Sequence, residues 1–381
     1  MARVKLIQER GDVAPEHATL FDALAARRGR ISGPSSVVLH SPGLAGPWNL
    51  ISEFLHGESI VEAEAYELAV CTTAREFDAP FIWAAHAPAA RRAGVSDAAI
   101  EAVASHRETT GLAPEEATIV RFTRQLLSNR RVDDATFGPL LDAHGPRWMV
   151  ELTAWIGRYA ALSGIVNAFE VTPAPEADQL PKTDPRPSPT SVRPQLPSTR
   201  IPMLTNRDDV PKADRGLFDA IAEGRGSVRG PFALLLHSPE LCRAVLDLSV
   251  YLRRDDYVPA ATRELAVIAT ARERDCRYVW AAHAPAARRE GVPDEVIASV
   301  RDRGDVAPMS PGERDVVEYA RQLLRTHRVE QGLFDRMLGA HKLPGLVEIT
   351  ATIGHYVFVT TILNTFEVSP AAGAEALPLG V

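Results

Sequence analysis

Apolar residues along this chain recur three and four positions apart, and runs that alternate with period two are nearly absent. That spacing predicts helices rather than strands. Tyr66–Arg75 (YELAVCTTAR) and Arg263–Arg272 (RELAVIATAR) are alanine-rich, with aliphatic residues on one helical face. Val150–Phe169 and Val347–Phe366 are longer apolar-rich stretches broken by polar residues at helical spacing. His40-Ser41-Pro42 and His237-Ser238-Pro239 read as helix starts, with Ser at the N-cap and Pro at the first helical position. Gly94 and Gly291 follow Arg-Arg pairs and read as helix stops.

Each of these signals occurs twice. Ile82–Val95 (IWAAHAPAARRAGV) and Val279–Val292 (VWAAHAPAARREGV) agree at twelve of fourteen positions, at an offset of 197 residues. The same offset carries Phe21 to Phe218, His40 to His237, Glu67 to Glu264, Glu151 to Glu348 and Asn167 to Asn364. The chain therefore reads as a tandem duplication of one globular unit. The expected domains are 1–170 and 205–370, each a bundle-like packing of about six to eight helices. At roughly 165 residues each, they can bury a sizeable core without metals or disulfides. A Pro-rich linker, 171–204, joins them. Nine prolines between Val171 and Pro202 forbid a continuous helix there, leaving an extended strap or a disordered linker. The tail, 371–381, has no periodicity and is expected to be loose.

Composition narrows the function classes. Hydrophobic residues make up 45% and charged residues 24%, ordinary for a soluble protein. The net charge of −7, with no basic stripe, argues against nucleic acid as a partner. The N-terminus lacks a signal-peptide core, and no apolar run is read as reaching the ~18–20 residues of a membrane span. The three cysteines, Cys71, Cys242 and Cys276, form no CxxC pair, so a cytoplasmic location is expected. The histidines are scattered without HxxxH or HExxH spacing, so no metal is expected.

The chemistry-bearing pattern is a glutamate followed nineteen residues later by a histidine: Glu67 and His86, then Glu264 and His283. A short break separates the two predicted helices, with Asp78 and Asp275 as natural N-caps of the second. Helices joined so tightly can bring the two side chains to one crevice. A carboxylate beside an imidazole is a proton-transfer pair, since it orients the ring and raises its basicity. The plainer alternative is a buried hydrogen bond that only holds two helices together. Cys276 lies seven residues before His283 and follows Asp275, so it falls at a helix N-terminus that favours a thiolate. A small buried thiol is the alternative, and the first copy has Ala79 there. Cys71 matches Ile268 and Cys242 matches Ala45, so both read as core residues.

Arg263-Glu264-Leu265-Ala266, then Cys276-x-Tyr278-x-Trp280-x-x-His283, resembles the carboxymuconolactone decarboxylase family, whose superfamily includes the alkyl hydroperoxidase D proteins. Leu236–Leu241 (LHSPEL) and Asn364–Val368 (NTFEV) resemble it too. The resemblance covers nearly all of both copies. It implies an all-α fold of two tandem alkyl hydroperoxidase D-like domains and no cofactor. It also implies a homo-oligomer, a trimer of fused copies mimicking a hexamer of single domains. The family's relay glutamate matches Glu264 and Glu67, its helix histidine matches His283 and His86, and its first cysteine matches Cys276 only. Its second cysteine position holds Val279, or Ile82 in the first copy, so neither copy can run a two-cysteine peroxidase cycle.

The decarboxylase branch needs an acid/base, for which His283 or His86 suits, and donors for substrate carboxylates. Candidate cations are Arg263, Arg288 and Arg289, and in the first copy Arg91, Arg92 and Arg158. Trp280 and Trp83 would shape the pockets, with Tyr278, His355, Tyr356, His237 and His40 as further lining residues. The leading expectation is a cofactor-independent lyase acting on a small carboxylated or lactone-type metabolite. A one-cysteine thiol peroxidase using Cys276 and a non-catalytic assembly protein are the alternatives. The copies differ at Ala79 against Cys276, Tyr66 against Arg263, and Arg158 against His355, which predicts unequal pockets.

Overall fold

The computed structural model describes residues 2–183 and 199–378. Those residues form an all-α structure with 68% helix and no strand. The middle of the Pro-rich stretch, 184–198, lies outside the described residues. The first half comprises α1 (Ala18–Arg28), α2 (Pro34–Val38), α3 (Pro42–Gly57), α4 (Ala63–Glu76), α5 (Pro80–Ala93), α6 (Asp97–Ala104), α7 (Pro114–Asn129) and α8 (Asp134–Ala168). The second comprises α9 (Arg215–Arg225), α10 (Pro231–Leu235), α11 (Pro239–Tyr251), α12 (Ala260–Glu273), α13 (Arg277–Arg289), α14 (Asp294–Arg301), α15 (Pro311–Arg325) and α16 (Gln331–Thr365). The offset of 197 found in the sequence relates both ends of α4 to those of α12, and both ends of α8 to those of α16.

Local chemistry accounts for the helix ends. Pro42 and Pro239 start α3 and α11 where the sequence places them, because a missing N–H costs nothing in the first turn. Gly94 ends α5 at φ 104, and Gly291 follows α13 at φ 91, both conformations that an L side chain resists. Asp78 and Asp275 do not act as caps. They sit at φ 44 and 49 as the turn after α4 and α12, and Ala79 and Cys276 occupy the N-cap positions.

The centre of the molecule is the crossing of α8 and α16. Each bends once, at Gly145 and at Lys342, and the stretch beyond each bend is buried. Small residues permit a close approach. A Cβ on Gly157 would lie 3.2 Å from the Phe358 Cα, and one on Gly354 would lie 3.2 Å from the Ala161 Cβ. Around this crossing, α4 packs on α5, α7 and α8, and α12 packs on α13, α15 and α16. Contrary to the sequence reading, α16 is long and apolar enough to cross a membrane by length and composition, with a window of mean hydropathy 1.5. In this fold 94% of that window is buried, which is what a central core helix requires.

Two buried polar contacts tie the halves together. Ser41 donates to Glu348 at 2.6 Å, and Ser238 donates to Glu151 at 2.8 Å. The serines read as helix caps make no cap hydrogen bond; their hydroxyls reach across the interface instead. A hydrogen bond to a charged group contributes about 1.5–3 kcal/mol, and an abandoned buried carboxylate costs more. The chain ends of each half also pack in matching ways. Arg75 donates to the Pro181 carbonyl and Arg272 to the Pro378 carbonyl, both at 2.6 Å. The tail read as loose is therefore docked as far as Pro378, with Leu377 buried.

Candidate functional site

The turn between α4 and α5, like that between α12 and α13, sets the geometry of the site. Asn167 donates to the Phe77 carbonyl at 2.8 Å, and Asn364 donates to the Arg274 carbonyl at 2.9 Å. Each asparagine braces its turn from the end of the long central helix. In both halves the predicted pair forms: His86 Nδ1 lies 2.7 Å from Glu67 Oε2, and His283 Nδ1 lies 2.7 Å from Glu264 Oε2. A carboxylate offers only acceptor atoms, so Nδ1 carries the shared proton and Nε2 faces away from the glutamate.

Beyond that pair the halves diverge. In the second half His283 opens onto a cavity of about 420 Å³. Tyr278, His355 and Tyr356, all anticipated from the sequence, line it. Val279, Val359, Leu363 and Phe232 give it an apolar wall, while Arg225, Arg229 and Arg253 make it cationic. No carboxylate is among its lining residues, and none of the three arginines forms an ion pair among the described residues. Arg225 lies over the Phe232 ring at 4.2 Å, and its Nη2 is buried without a hydrogen-bond partner. Burial, with Arg253 nearby, pushes the Arg225 guanidinium down to about 10. Tyr278 lies across Gly230, where φ is 59 and a Cβ would fall 2.5 Å from the tyrosine hydroxyl. Glycine is needed there for both reasons.

His355 is buried, with Nε2 at 2.8 Å from Ser249 Oγ and Nδ1 unpartnered. Burial, then Arg225, Arg253 and Arg158, push it down to about 3, so it is a neutral ring. Tyr356 sits edge-on to His283, with its hydroxyl 3.2 Å from Nε2.

In the first half an aromatic cluster lies beside the pair. Trp155 stacks on Tyr66 at 4.0 Å, where the second half has Thr352 and Arg263. His56, the counterpart of Arg253, lies 3.1 Å from the Tyr159 hydroxyl and packs on Trp155. Arg158 turns away to the Trp48 carbonyl at 2.8 Å and Ser52 at 2.9 Å.

Several sequence candidates are placed elsewhere. Trp280 and Trp83 are core residues, and Trp280 is absent from the cavity wall. His40 and His237 hold the Lys5 and Pro202 carbonyls at 2.7 and 2.8 Å and so fix the N-terminal arm of each half. Arg263 is spent on Asp255 and the Arg254 carbonyl. Arg91 and Arg288 pair with Asp178 and Glu375 on the packed chain ends, and Arg92 and Arg289 are exposed. Cys276 is buried and does not line the cavity. The N–H groups of Tyr278 and Val279, and Arg131 and Arg274, favour its thiolate, but burial outweighs them and pushes the thiol up to about 11. Cys71 is buried too, and burial raises it above the usual thiol range.

Arg225, Arg229, Arg253 and Ser249 were not among the sequence candidates; Arg225 and Ser249 are shared with the first copy as Arg28 and Ser52, but lie outside the Glu–His motif. Arg253 against His56 and Arg229 against Ser32 are differences at matched positions, and that contrast is the signal that could have found them.

Residues 239–322, from α11 into α15, match the carboxymuconolactone decarboxylase family, so the chain carries a domain of that family. The matched stretch includes Glu264, Cys276, Tyr278 and His283, and leaves Arg225, His355 and Tyr356 outside. No curated protein matches the chain.

Proposed function

We propose that the chain is a cofactor-independent lyase of the carboxymuconolactone decarboxylase type. Its second half acts on a small carboxylated, lactone-like metabolite. The observation that carries this reading is the set of three arginines that have no carboxylate partner among the described residues, around the cavity onto which His283 opens. Arg225 is half-buried with an unpartnered Nη2, and Arg229 and Arg253 stand exposed at the cavity rim; together they favour an anion, and carboxylates match their paired N–H geometry. The cavity volume suits a small metabolite. Glu264 orients His283, whose Nε2 faces the cavity side and can exchange a proton with a ligand carbon. Loss of CO₂ leaves negative charge on the ligand, which the arginines stabilise until the carbon is reprotonated.

The first half, in this reading, is a diverged second copy of the same domain, supported by the shared offset of helices, Glu–His pairs and interface contacts. A trimer of the chain is part of the same proposal. The one-cysteine peroxidase has less support, because Cys276 is buried away from the cavity and its thiol is held protonated. The test is a panel of small carboxylated lactones incubated with the protein, with CO₂ release as the readout. Turnover that survives in Glu264→Gln and His283→Ala would remove the acid/base assignment.

A further inference from the structure

We propose that Tyr356, backed by His283 and Glu264, is the group that exchanges the proton with the ligand, so that the working unit is a Glu–His–Tyr triad. This rests on the reading of the second-half cavity as the acting site, and goes beyond it by moving the reactive atom from the imidazole to the phenol.

The geometry is a continuous chain of three groups. Glu264 Oε2 lies 2.7 Å from His283 Nδ1, and His283 Nε2 lies 3.2 Å from the Tyr356 hydroxyl. Because the carboxylate only accepts, Nδ1–H donates to it. The neutral ring then has a single lone pair left, at Nε2, and the Tyr356 O–H donates to that lone pair. The imidazole face that would otherwise meet a ligand is occupied by the phenol, and Tyr356 itself lines the cavity. This is the arrangement of a hydroxyl, a base and an orienting carboxylate that activates nucleophiles in hydrolases, with a phenol in place of the alcohol.

The proton balance is simple. When a ligand C–H is cleaved, its proton goes to the Tyr356 oxygen as the phenol's own proton passes to Nε2. The electron pair stays on the ligand carbon, facing the arginines. His283 becomes an imidazolium held by Glu264. In a decarboxylation no C–H is cleaved: the carbanion left by CO₂ loss takes the Tyr356 proton directly, leaving a phenolate facing the arginines with His283 neutral, and a proton from solvent restores the phenol. Burial and the Glu264 carboxylate raise the Tyr356 phenol, while Arg253, Arg225 and Arg263 act against that rise. The resting state is therefore the protonated phenol that the triad needs.

The first half offers the internal contrast. Tyr159 packs edge-on to His86 in the same way, yet its hydroxyl lies 3.1 Å from His56 Nε2, a residue the second half replaces with Arg253.

The test is chemical labelling of the full-length protein with 4-(fluorosulfonyl)benzoate, a carboxylate-bearing sulfonyl fluoride that modifies activated phenols. Peptide mass spectrometry locates the adduct and gives the rate at each tyrosine. The triad predicts that Tyr356 is modified and that His283→Gln slows this on the order of 10²-fold. Glu264→Gln should slow it less, and Tyr159 should be unaffected in either variant. An adduct on His283 in place of Tyr356, or a Tyr356 rate unchanged in His283→Gln, overturns the triad. Should His283→Gln fail to fold, the Glu264→Gln rate decides in the same way. Saturation of the rate with probe, and its loss in Arg253→Ala, reads the anion site separately. An unsaturable rate that still depends on His283 would therefore sink the ligand class and leave the triad standing.

Discussion

The two halves hold the same Glu–His pair at the same 2.7 Å, yet they surround it with opposite chemistry. In the second half the ring faces a cavity bounded by three arginines, a neutral histidine and a tyrosine. In the first, His56 stands at the Arg253 position and packs on Trp155, which stacks on Tyr66. The pair is thus a property of the fold, set by the Asn-braced turn. What can be bound beside it is decided by a handful of residues on other helices. The reacting groups are shared between the halves; Arg253 against His56, Arg229 against Ser32 and His355 against Arg158 are where the surroundings differ.

The largest expected effect concerns what the halves share. Glu151 is buried and accepts from Ser238, Arg147 and the Ile60 N–H. Glu151→Ala strands all three and should cost about 3–5 kcal/mol in urea unfolding. Glu348→Ala strands Ser41 and Tyr251 and should cost less. Equal, small losses would mean that the interface is held by α8–α16 packing alone.

Arg253→His gives the second half the first half's residue. It should weaken binding of a small dicarboxylate by about 10–10²-fold, the value of a charged hydrogen bond, in isothermal titration calorimetry. Unchanged affinity would show that Arg225 and Arg229 suffice.

His355 against Arg158 makes a pH-dependent contrast. His355 is pushed from 6.5 down to about 3, so the fold rejects a proton that the unfolded chain accepts. Its contribution is complete above pH 6.5 and is lost progressively as pH falls toward 3. Unfolding free energies measured from pH 7.5 to 4.5 should show this decline, and His355→Asn should flatten it. His327, pushed down to about 4, and His40 and His341, also lowered by burial, add to the residual slope.

The smallest effect is at Cys276. Cys276→Ser should change turnover by less than about twofold, because a buried thiol held near 11 supplies almost no thiolate at pH 8. Iodoacetamide should reach it only on unfolding. Abolished turnover would revive the peroxidase reading.

Much of this was legible in the chain before its structure. Periodicity, proline starts and glycine stops are local signals, so about six to eight helices per half could be anticipated, and the described residues show eight α-helices in each. The Glu–His pairs were readable because nineteen residues and one short turn leave few geometries. The contacts made by Ser41 and Ser238 were not, since they bridge more than eighty residues and mimic a cap signal locally. The arginine wall was hidden for a related reason. Arg225 ends α9 and Arg253 follows α11, and only the tertiary packing brings them to His283 on α13. The exposed helix end offered to Cys276 was overruled by burial, which no sequence window reports.

The central claim is that one of two matching Glu–His pairs does the work. It is tested most directly by measuring CO₂ release from a carboxylated lactone with His283→Ala and His86→Ala side by side. The account predicts a loss on the order of 10²–10⁴-fold for His283→Ala and a change of at most a few-fold for His86→Ala. Equal losses in the two variants, or a loss confined to His86→Ala, would contradict it.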